Sequence, residues 1–163
     1  MNDFVDAIAK KRDKKHSVTG KFQRFLGKNT TAIGIIGEQY FAKTFNICAD
    51  LSFKSKGDGG KDFKIPLAID GHIEKIPVDV KTSSRGDTLL VEQGTVKAKT
   101  IYVLIHYDKN IKECKILGWQ WGIYILRQEA KRWPLEVINH AVDKNDLRNI
   151  EELIVRLVKK CLQ

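Results

Sequence analysis

The sequence predicts a mixed α/β fold, because it combines apolar residues at two different spacings. Residues 61–69 and 72–81 carry apolar side chains at alternate positions, which is typical of strands with one buried face. Residues 99–107, KTIYVLIHY, form a continuous apolar run that suits a strand buried on both faces. Within residues 30–46 and 147–161, apolar side chains recur at helical spacing. A chain of 163 residues that is 42% apolar can bury such elements in one domain.

The N-terminal segment is the most basic part of the chain. The whole chain carries 29 Lys and Arg against 20 Asp and Glu, a net charge of +9. Residues 1–28 contribute a net of +5 of that charge. We predict a basic arm over residues 1–28, followed by a single domain over residues 29–163. Such a run of basic residues can be a solvated charged face. Equally, because counterion release favours phosphate contacts, the arm can bind nucleic acid through Lys10, Lys11, Arg12, Lys14, Lys15, Lys21, Arg24 and Lys28.

The first helix of the domain is expected over residues 30–46. The apolar side chains that recur there at helical spacing are Ile33, Ile36, Tyr40, Phe41 and Phe45. Residues 47–54 are the next candidate strand. The helix therefore precedes the two alternating segments in the chain.

The two alternating segments are expected to form a hairpin. Asp70-Gly71 lies between them, and this dipeptide accepts the positive φ angles of a type I′ turn. With these two residues as the loop, the numbers of paired positions sum to 141. Phe63 then lies opposite Val78, which pairs apolar side chains on one face, as a correct register requires.

The same register brings two carboxylates together. It places Asp62 opposite Asp79, with Lys81 two residues along on the same face. Two ionised carboxylates at ~5 Å repel by about 3 kcal/mol at an effective dielectric of ~20, a cost that folding alone does not explain. A divalent cation between them removes the repulsion, and hard oxygen ligands of this kind suit Mg²⁺. The alternative is a solvated strand face, or a bulge at Pro66 or Pro77 that shifts the register.

The second half of the chain predicts two more strands and two helices. Residues 112–119 are the expected antiparallel partner of the strand at 99–107, across a turn at 108–111. The pattern of residues 123–133 is ambiguous, but its end before Pro134 favours a helix. A final helix is expected from its apolar stripe, which consists of Leu147, Ile150, Leu153, Ile154, Leu157, Val158 and Cys161.

The segments GDGGKDF and PVDVKTS together resemble a known family. Asp62 and Asp79 lie 17 positions apart in these segments, and the pattern is similar to that of the PD-(D/E)XK nuclease superfamily, also called the restriction endonuclease-like fold. The resemblance covers about residues 30–120. It implies a three-layer α/β/α sandwich with a mixed central sheet, metal binding by Asp62 and Asp79, a third ligand from the carbonyl of Val80, and Lys81 as the catalytic lysine.

The resemblance extends to a further acid. The superfamily often supplies one from the preceding helix, and Glu38 occupies that place here, as a ligand of a water or of a second metal. Its alternative role is that of an exposed helix carboxylate. One departure from the pattern is Lys61, which stands where the family has its proline.

Charge, motif and resemblance together predict a metal-dependent endodeoxyribonuclease, restriction-like or junction-resolving. We expect Mg²⁺ as the cofactor, with Mn²⁺ able to substitute. DNA is the expected substrate, and contacts to it are also expected from Ser83, Arg85, Lys97 and Lys99. A homodimer is expected, because cutting two strands requires two sites. The competing prediction is a non-enzymatic DNA-binding module that retains the nuclease fold.

The sequence also predicts where the protein acts. No apolar stretch approaches the ~20 residues of a spanning helix, and the N-terminus lacks the apolar region and cleavage site of a signal peptide. We therefore expect an intracellular, cytoplasmic protein with no membrane partner.

Overall fold

A computed structural model describes residues 30–47, 62–133 and 136–157, together with positions 7 and 10. Within these residues no helix has both the length and the apolar character needed to cross a membrane. The fold is mixed α/β. Its elements in chain order are α1 (Thr30–Phe45), β1 (Phe63–Ile69), β2 (His72–Ser83), β3 (Thr88–Glu92), β4 (Ile101–Asp108), β5 (Glu113–Trp121), α2 (Gly122–Ile125), β6 (Ala130–Arg132), β7 (Ile138–Asp143), a 3-10 turn (Lys144–Asp146) and α3 (Ile150–Arg156).

The larger of two sheets is mixed, as predicted. Its strand order is β1-β2-β4-β5. Strands β1 and β2 are antiparallel, β2 and β4 are parallel, and β4 and β5 are antiparallel. The parallel pair requires a crossover between β2 and β4, and this crossover contains β3. The antiparallel pairing of β4 with β5 confirms the predicted pairing of the strand at 99–107 with the segment at 112–119.

The hairpin of β1 and β2 has the predicted register. Asp70 has a φ of 47° and Gly71 a φ of 80°, which are the two positive angles that a type I′ turn requires. Phe63 pairs with Val78, so the pairing numbers sum to 141. The ladder from Ile69 to Phe63 has no shift, which excludes the alternative of a bulge at either proline.

Strand β4 separates two apolar cores. Ile101, Val103 and Ile105 point to one face, where they pack with side chains of α1 and α3. Tyr102 and Leu104 point to the other face, which is covered by the second sheet. We call these the helix-covered face and the sheet-covered face. The continuous apolar run was predicted to be buried on both faces, and both faces are buried.

The second sheet is antiparallel, with strand order β3-β7-β6. Leu89, Val91 and Val142 of this sheet pack with Ile125 of α2 against the sheet-covered face. In the described part of the chain, this layer consists of strands and the single turn of α2. An α/β/α sandwich has helices in that position.

Three predicted elements need correction or completion. The helix expected over residues 123–133 is wrong beyond its first turn, because Ala130–Arg132 pairs with β7 as a strand. The last helix is shorter than its apolar stripe predicts. It begins after Asn149, whose side chain accepts a hydrogen bond from the N–H of Glu151, and it ends before Leu157, which is extended. Of the strand expected over residues 47–54, residues 48–54 lie outside the described residues.

Candidate active site

Asp62 lies where β1 begins and is held by two hydrogen bonds to β2. Its N–H donates to the carbonyl of Val78 at 2.9 Å, and its Oδ2 accepts from the N–H of Val80 at 2.6 Å. The ladder ends at Phe63, so the extrapolated pairing of Asp62 with Asp79 is not formed. The physical reason is that the N–H of Asp62 donates to Val78, whereas the register would place Asp62 opposite Asp79. The side-chain carboxylate of Asp62, instead of a backbone carbonyl of β1, accepts the hydrogen bond from the N–H of Val80.

The charges of the other predicted site residues nevertheless act on Asp62. Burial raises the pKa of Asp62 from its ordinary value of 3.8 to about 7, and the nearby carboxylates of Glu38 and Asp79 add to the rise. The hydrogen bond from Val80 and the charge of Lys81 act in the opposite direction. Asp62, at the start of β1, is thus within electrostatic range of Glu38 on α1 and of Asp79 and Lys81 on β2.

Asp79 and Lys81 form an ion pair. The Lys81 Nζ lies 2.7 Å from Asp79 Oδ1, as expected for side chains two residues apart on one strand face. The Asp79 side chain is only 8% exposed, whereas that of Lys81 is 39% exposed. The ammonium therefore compensates a buried carboxylate from its solvent side and remains within reach of a bound anion.

Gly37, the neighbour of Glu38, lies in close contact with β2. A Cβ at Gly37 would lie 1.9 Å from Thr82 Oγ1, so only glycine allows α1 to approach β2 this closely. Thr82 directly follows Lys81 in the chain, and Gly37 directly precedes Glu38. The sequence analysis did not identify Gly37 as a site residue. The sequence feature that could have identified it is a glycine inside a helix, which lowers helix stability by roughly 1 kcal/mol relative to alanine.

The donor atoms suit Mg²⁺ in type and number. In the described ranges, no three side chains of His, Cys, Asp or Glu are grouped as a metal site. Mg²⁺ in enzymes is commonly held by one or two carboxylates, with water and phosphate oxygens completing its shell, so a three-residue group is not required. Asp62 and Asp79 supply two hard oxygen donors, and a cation would stabilise the ionised form of Asp62, whose pKa is raised by burial and further by the charges of Glu38 and Asp79.

The carbonyl of Val80 faces the same edge as Asp62. In a strand, the N–H and C=O of one residue point to the same side, as in a hydrogen-bonded antiparallel pair. The N–H of Val80 points toward Asp62. The carbonyl of Val80 therefore points to the same edge of β2, beyond the end of the ladder at Phe63, where β1 no longer pairs with β2. This orientation fits the role of third ligand that the resemblance implies.

Tyr102 connects this site to the loop before β4. Its hydroxyl accepts a hydrogen bond from the N–H of Lys97 at 3.0 Å. Burial raises the pKa of Tyr102, and the charge of Asp79, which pairs with Tyr102 in the register of β2 and β4, adds to the rise. Lys97 and Lys99 are exposed on this loop. The sequence analysis predicted both lysines as DNA contacts but missed the tyrosine between them and Asp79.

The other predicted DNA contacts are only partly described. Ser83 Oγ accepts hydrogen bonds from the N–H groups of Arg85 and Gly86, so it closes the turn after β2. Arg85 is exposed, as is Lys10 in the arm. The remaining basic residues of the arm lie outside the described residues: Lys11, Arg12, Lys14, Lys15, Lys21, Arg24 and Lys28.

Comparison with known proteins gives no relative from which a function could be transferred. No protein-family model matches the chain, and no match was found among curated proteins or among solved structures. The function is therefore argued from the site itself.

Proposed function

We propose that this protein is a metal-dependent endodeoxyribonuclease of the PD-(D/E)XK type. The observation that carries the proposal is the raised pKa of Asp62, to which burial contributes most and the charges of Glu38 and Asp79 add, together with the hydrogen bond that holds Asp62 to Val80, between the ion-paired Asp79 and Lys81. These residues come from three elements that are distant in sequence. Perturbed carboxylates grouped with a lysine are typical of catalytic sites.

Each residue has a role that its surroundings support. Asp62 and Asp79 would hold Mg²⁺, with the carbonyl of Val80 as a further ligand and Glu38 binding a water or a second ion. Mn²⁺ has the same preference for oxygen ligands. The bound ion would lower the pKa of a water and polarise the scissile phosphate. Lys81 would orient the attacking water and stabilise the negative charge that develops on the phosphate oxygens.

The fold is compatible with this assignment. In our proposal the mixed sheet β1-β2-β4-β5, with α1 on the helix-covered face, is the restriction endonuclease-like core. The sheet β3-β7-β6 would then stand where an α/β/α sandwich has its second helical layer. The basic arm and the loop with Lys97 and Lys99 would bind the DNA backbone. A homodimer would supply one site for each strand.

The competing proposal is a DNA-binding module without catalytic activity. It is favoured by the lack of a three-residue metal group among the described side chains. Against it stand the burial of Asp79 and the raised pKa of the half-buried Asp62. A surface that only binds phosphate gains nothing from a buried carboxylate at Asp79, because that carboxylate occupies the Lys81 ammonium that would otherwise bind the anion.

A cleavage panel distinguishes the two proposals. Linear, supercoiled, single-stranded and branched DNA would each be incubated with the full-length protein in Mg²⁺, Mn²⁺ or EDTA. The nuclease proposal predicts cleavage of at least one form that requires the metal. Preference for branched DNA would identify a junction-resolving enzyme, and fixed cut sites in linear DNA a restriction-like one. Binding of DNA without cleavage in any metal would support the binding module instead.

A further inference from the structure

We propose that the contact between Gly37 and Thr82 sets the distance of Glu38 from the metal-binding carboxylates, which makes Gly37 a positioning residue. The inference rests on the proposed nuclease function. It deepens that function, because it assigns the placement of the third acid to a steric contact between α1 and β2. Gly37 lies outside the two segments that carry the resemblance to the nucleases, and the resemblance assigns no role to Thr82.

The contact leaves no space for any side chain at position 37. An added Cβ would lie 1.9 Å from Thr82 Oγ1 and 3.0 Å from both Thr82 Cβ and Cγ2. Rotation of Thr82 about χ1 gives only partial relief, because its Cβ does not move in the rotation and is itself too close. A side chain at position 37 therefore requires movement of the helix or of the strand.

The strand is the more rigid of the two partners. Thr82 lies inside β2 and is in register with Ile105 of β4, whose side chain belongs to the core of the helix-covered face. The helix contacts β2 more extensively than any other strand. A substitution at Gly37 would therefore displace α1 outward, and Glu38 with it, away from Asp62.

Two local costs coincide at this contact. Gly37 is a glycine inside a helix, where alanine would be more favourable for folding. Thr82 Oγ1 is buried and has no hydrogen-bond partner among the described residues, whereas valine would fill the same volume without a buried hydroxyl. Such breaches of local preference are expected at functional sites rather than in ordinary core packing.

The displacement of α1 and Glu38 that is expected in Gly37→Ala predicts a measurable loss of cleavage rate. With Thr82 in its present rotamer the Cβ would have to move from 1.9 Å to the 3.4 Å at which ordinary contacts begin, and rotation of Thr82 would still leave a shift of a few tenths of an ångström. A misplacement of about 1 Å in a catalytic group can reduce turnover by about a hundredfold. We therefore expect Gly37→Ala to lower kcat by roughly ten- to a hundredfold and to raise the Mg²⁺ concentration needed for half-maximal cleavage.

The matched control lies in the same helix. A Cβ at Gly34 would have nothing within 4 Å, so Gly34→Ala should leave cleavage unchanged and should fold at least as well as the wild type. The pair Gly37→Ala with Thr82→Ala should recover most of the lost activity. The second change removes Oγ1 and Cγ2 and leaves only the Cβ at 3.0 Å, which needs a shift of a few tenths of an ångström.

The decisive experiment is a double-mutant cycle of Gly37→Ala with Glu38→Gln, with kcat and the affinity for Mg²⁺ measured by calorimetry without DNA as readouts and circular dichroism as the folding check. If Gly37 acts through Glu38, Gly37→Ala should change kcat less than about twofold in the Glu38→Gln background. Fully additive effects, or no rescue by Thr82→Ala, would overturn the inference.

A further variant tests the steric account when Gly37→Ala does not fold. Thr82→Val keeps the volume of the contact and removes the hydroxyl, so cleavage should remain within about threefold of the wild type. Loss of cleavage in Thr82→Val would show that the hydroxyl itself takes part, which overturns a purely steric role. A wild-type protein that cuts no DNA would overturn the proposed function and this inference with it, whereas an active Gly37→Ala variant would overturn this inference alone.

Discussion

The N–H of Val80 donates a 2.6 Å hydrogen bond to the carboxylate of Asp62, which precedes it by 18 positions. This bond ties the start of β1 to the end of β2. The chain between them is a hairpin closed by a two-residue turn, so the distance between the two ends is determined by a continuous ladder. Asp62 is thereby held beside Asp79 and Lys81 by the hairpin itself.

The metal-free protein should lose stability as the pH rises from about 4 to about 7. The pKa of Asp62 is about 7 in the folded protein, against an ordinary value of 3.8. Below pH 3.8 both states hold the proton, so the stabilisation from this group is fully present there, and it is lost as the pH rises through about 7. At about 1.4 kcal/mol per pKa unit, the loss is at most about 4 kcal/mol. Thermal unfolding in EDTA at about pH 5 and about pH 8 measures it.

Asp62→Asn is the control for the pH dependence. Asparagine has the same shape and still offers an oxygen to the N–H of Val80, but it carries no charge. This variant should be more stable than the wild type near pH 8 in EDTA. Added Mg²⁺ should raise the Tm of the wild type more than that of the variant. Parallel pH profiles for the two proteins would contradict the raised pKa.

The second sheet should contribute to global stability through Leu89. This side chain is fully buried in the core between β3 and the sheet-covered face. Leu89→Ala should lower the free energy of unfolding by about 2–5 kcal/mol, measured by urea denaturation. Val155 is 84% exposed on α3, and Val155→Ala should change the same quantity by less than about 0.5 kcal/mol. A small effect at Leu89 would be inconsistent with packing of the second sheet against β4.

The basic arm should add affinity for DNA that does not depend on sequence. Replacing its densest basic run by glutamine should reduce the slope of log affinity against log salt by ~0.9 for each phosphate that the arm no longer neutralises. Cleavage preference should survive, because binding to phosphates carries no sequence information. The replaced residues are Lys10, Lys11, Arg12, Lys14 and Lys15.

The control for the arm removes charge elsewhere. Lys109 and Lys112 are exposed in the turn between β4 and β5, and their replacement tests the effect of net charge alone. Binding measured by fluorescence anisotropy over a range of salt concentrations gives both slopes. If the arm variant keeps the wild-type slope, the arm does not lie along the DNA backbone.

The hairpin could be predicted from the sequence because its determinants are local. The dipeptide Asp70-Gly71 specifies the turn, and the turn length specifies the register of every pair up to Phe63. The shift at Asp62 could not be predicted, because it depends on a side chain bonding to the backbone of Val80. The approach of Gly37 to β2 is likewise a tertiary contact with no periodic pattern.

The second sheet could not be predicted for a related reason. Strand β6 has three residues, two of them basic, and its sequence has no alternating apolar pattern. It is a strand because its backbone pairs with β7, and β7 in turn pairs with β3 across more than 45 residues of chain. Local propensity favours a helix over residues 123–133, and the tertiary pairing overrides it.

The central claim is that Asp79 and Lys81 perform metal-dependent hydrolysis of DNA, and single-turnover cleavage tests it most directly. Asp79→Asn and Lys81→Ala should each lower the cleavage rate in Mg²⁺ by about a hundredfold or more, while DNA affinity stays within a few fold. Glu74→Gln and Lys75→Ala are the matched controls, because both residues are exposed on the same strand, and both variants should cleave at the wild-type rate. Wild-type rates in Asp79→Asn and Lys81→Ala, or a wild-type protein that cleaves no form of DNA in Mg²⁺ or Mn²⁺, would contradict the account.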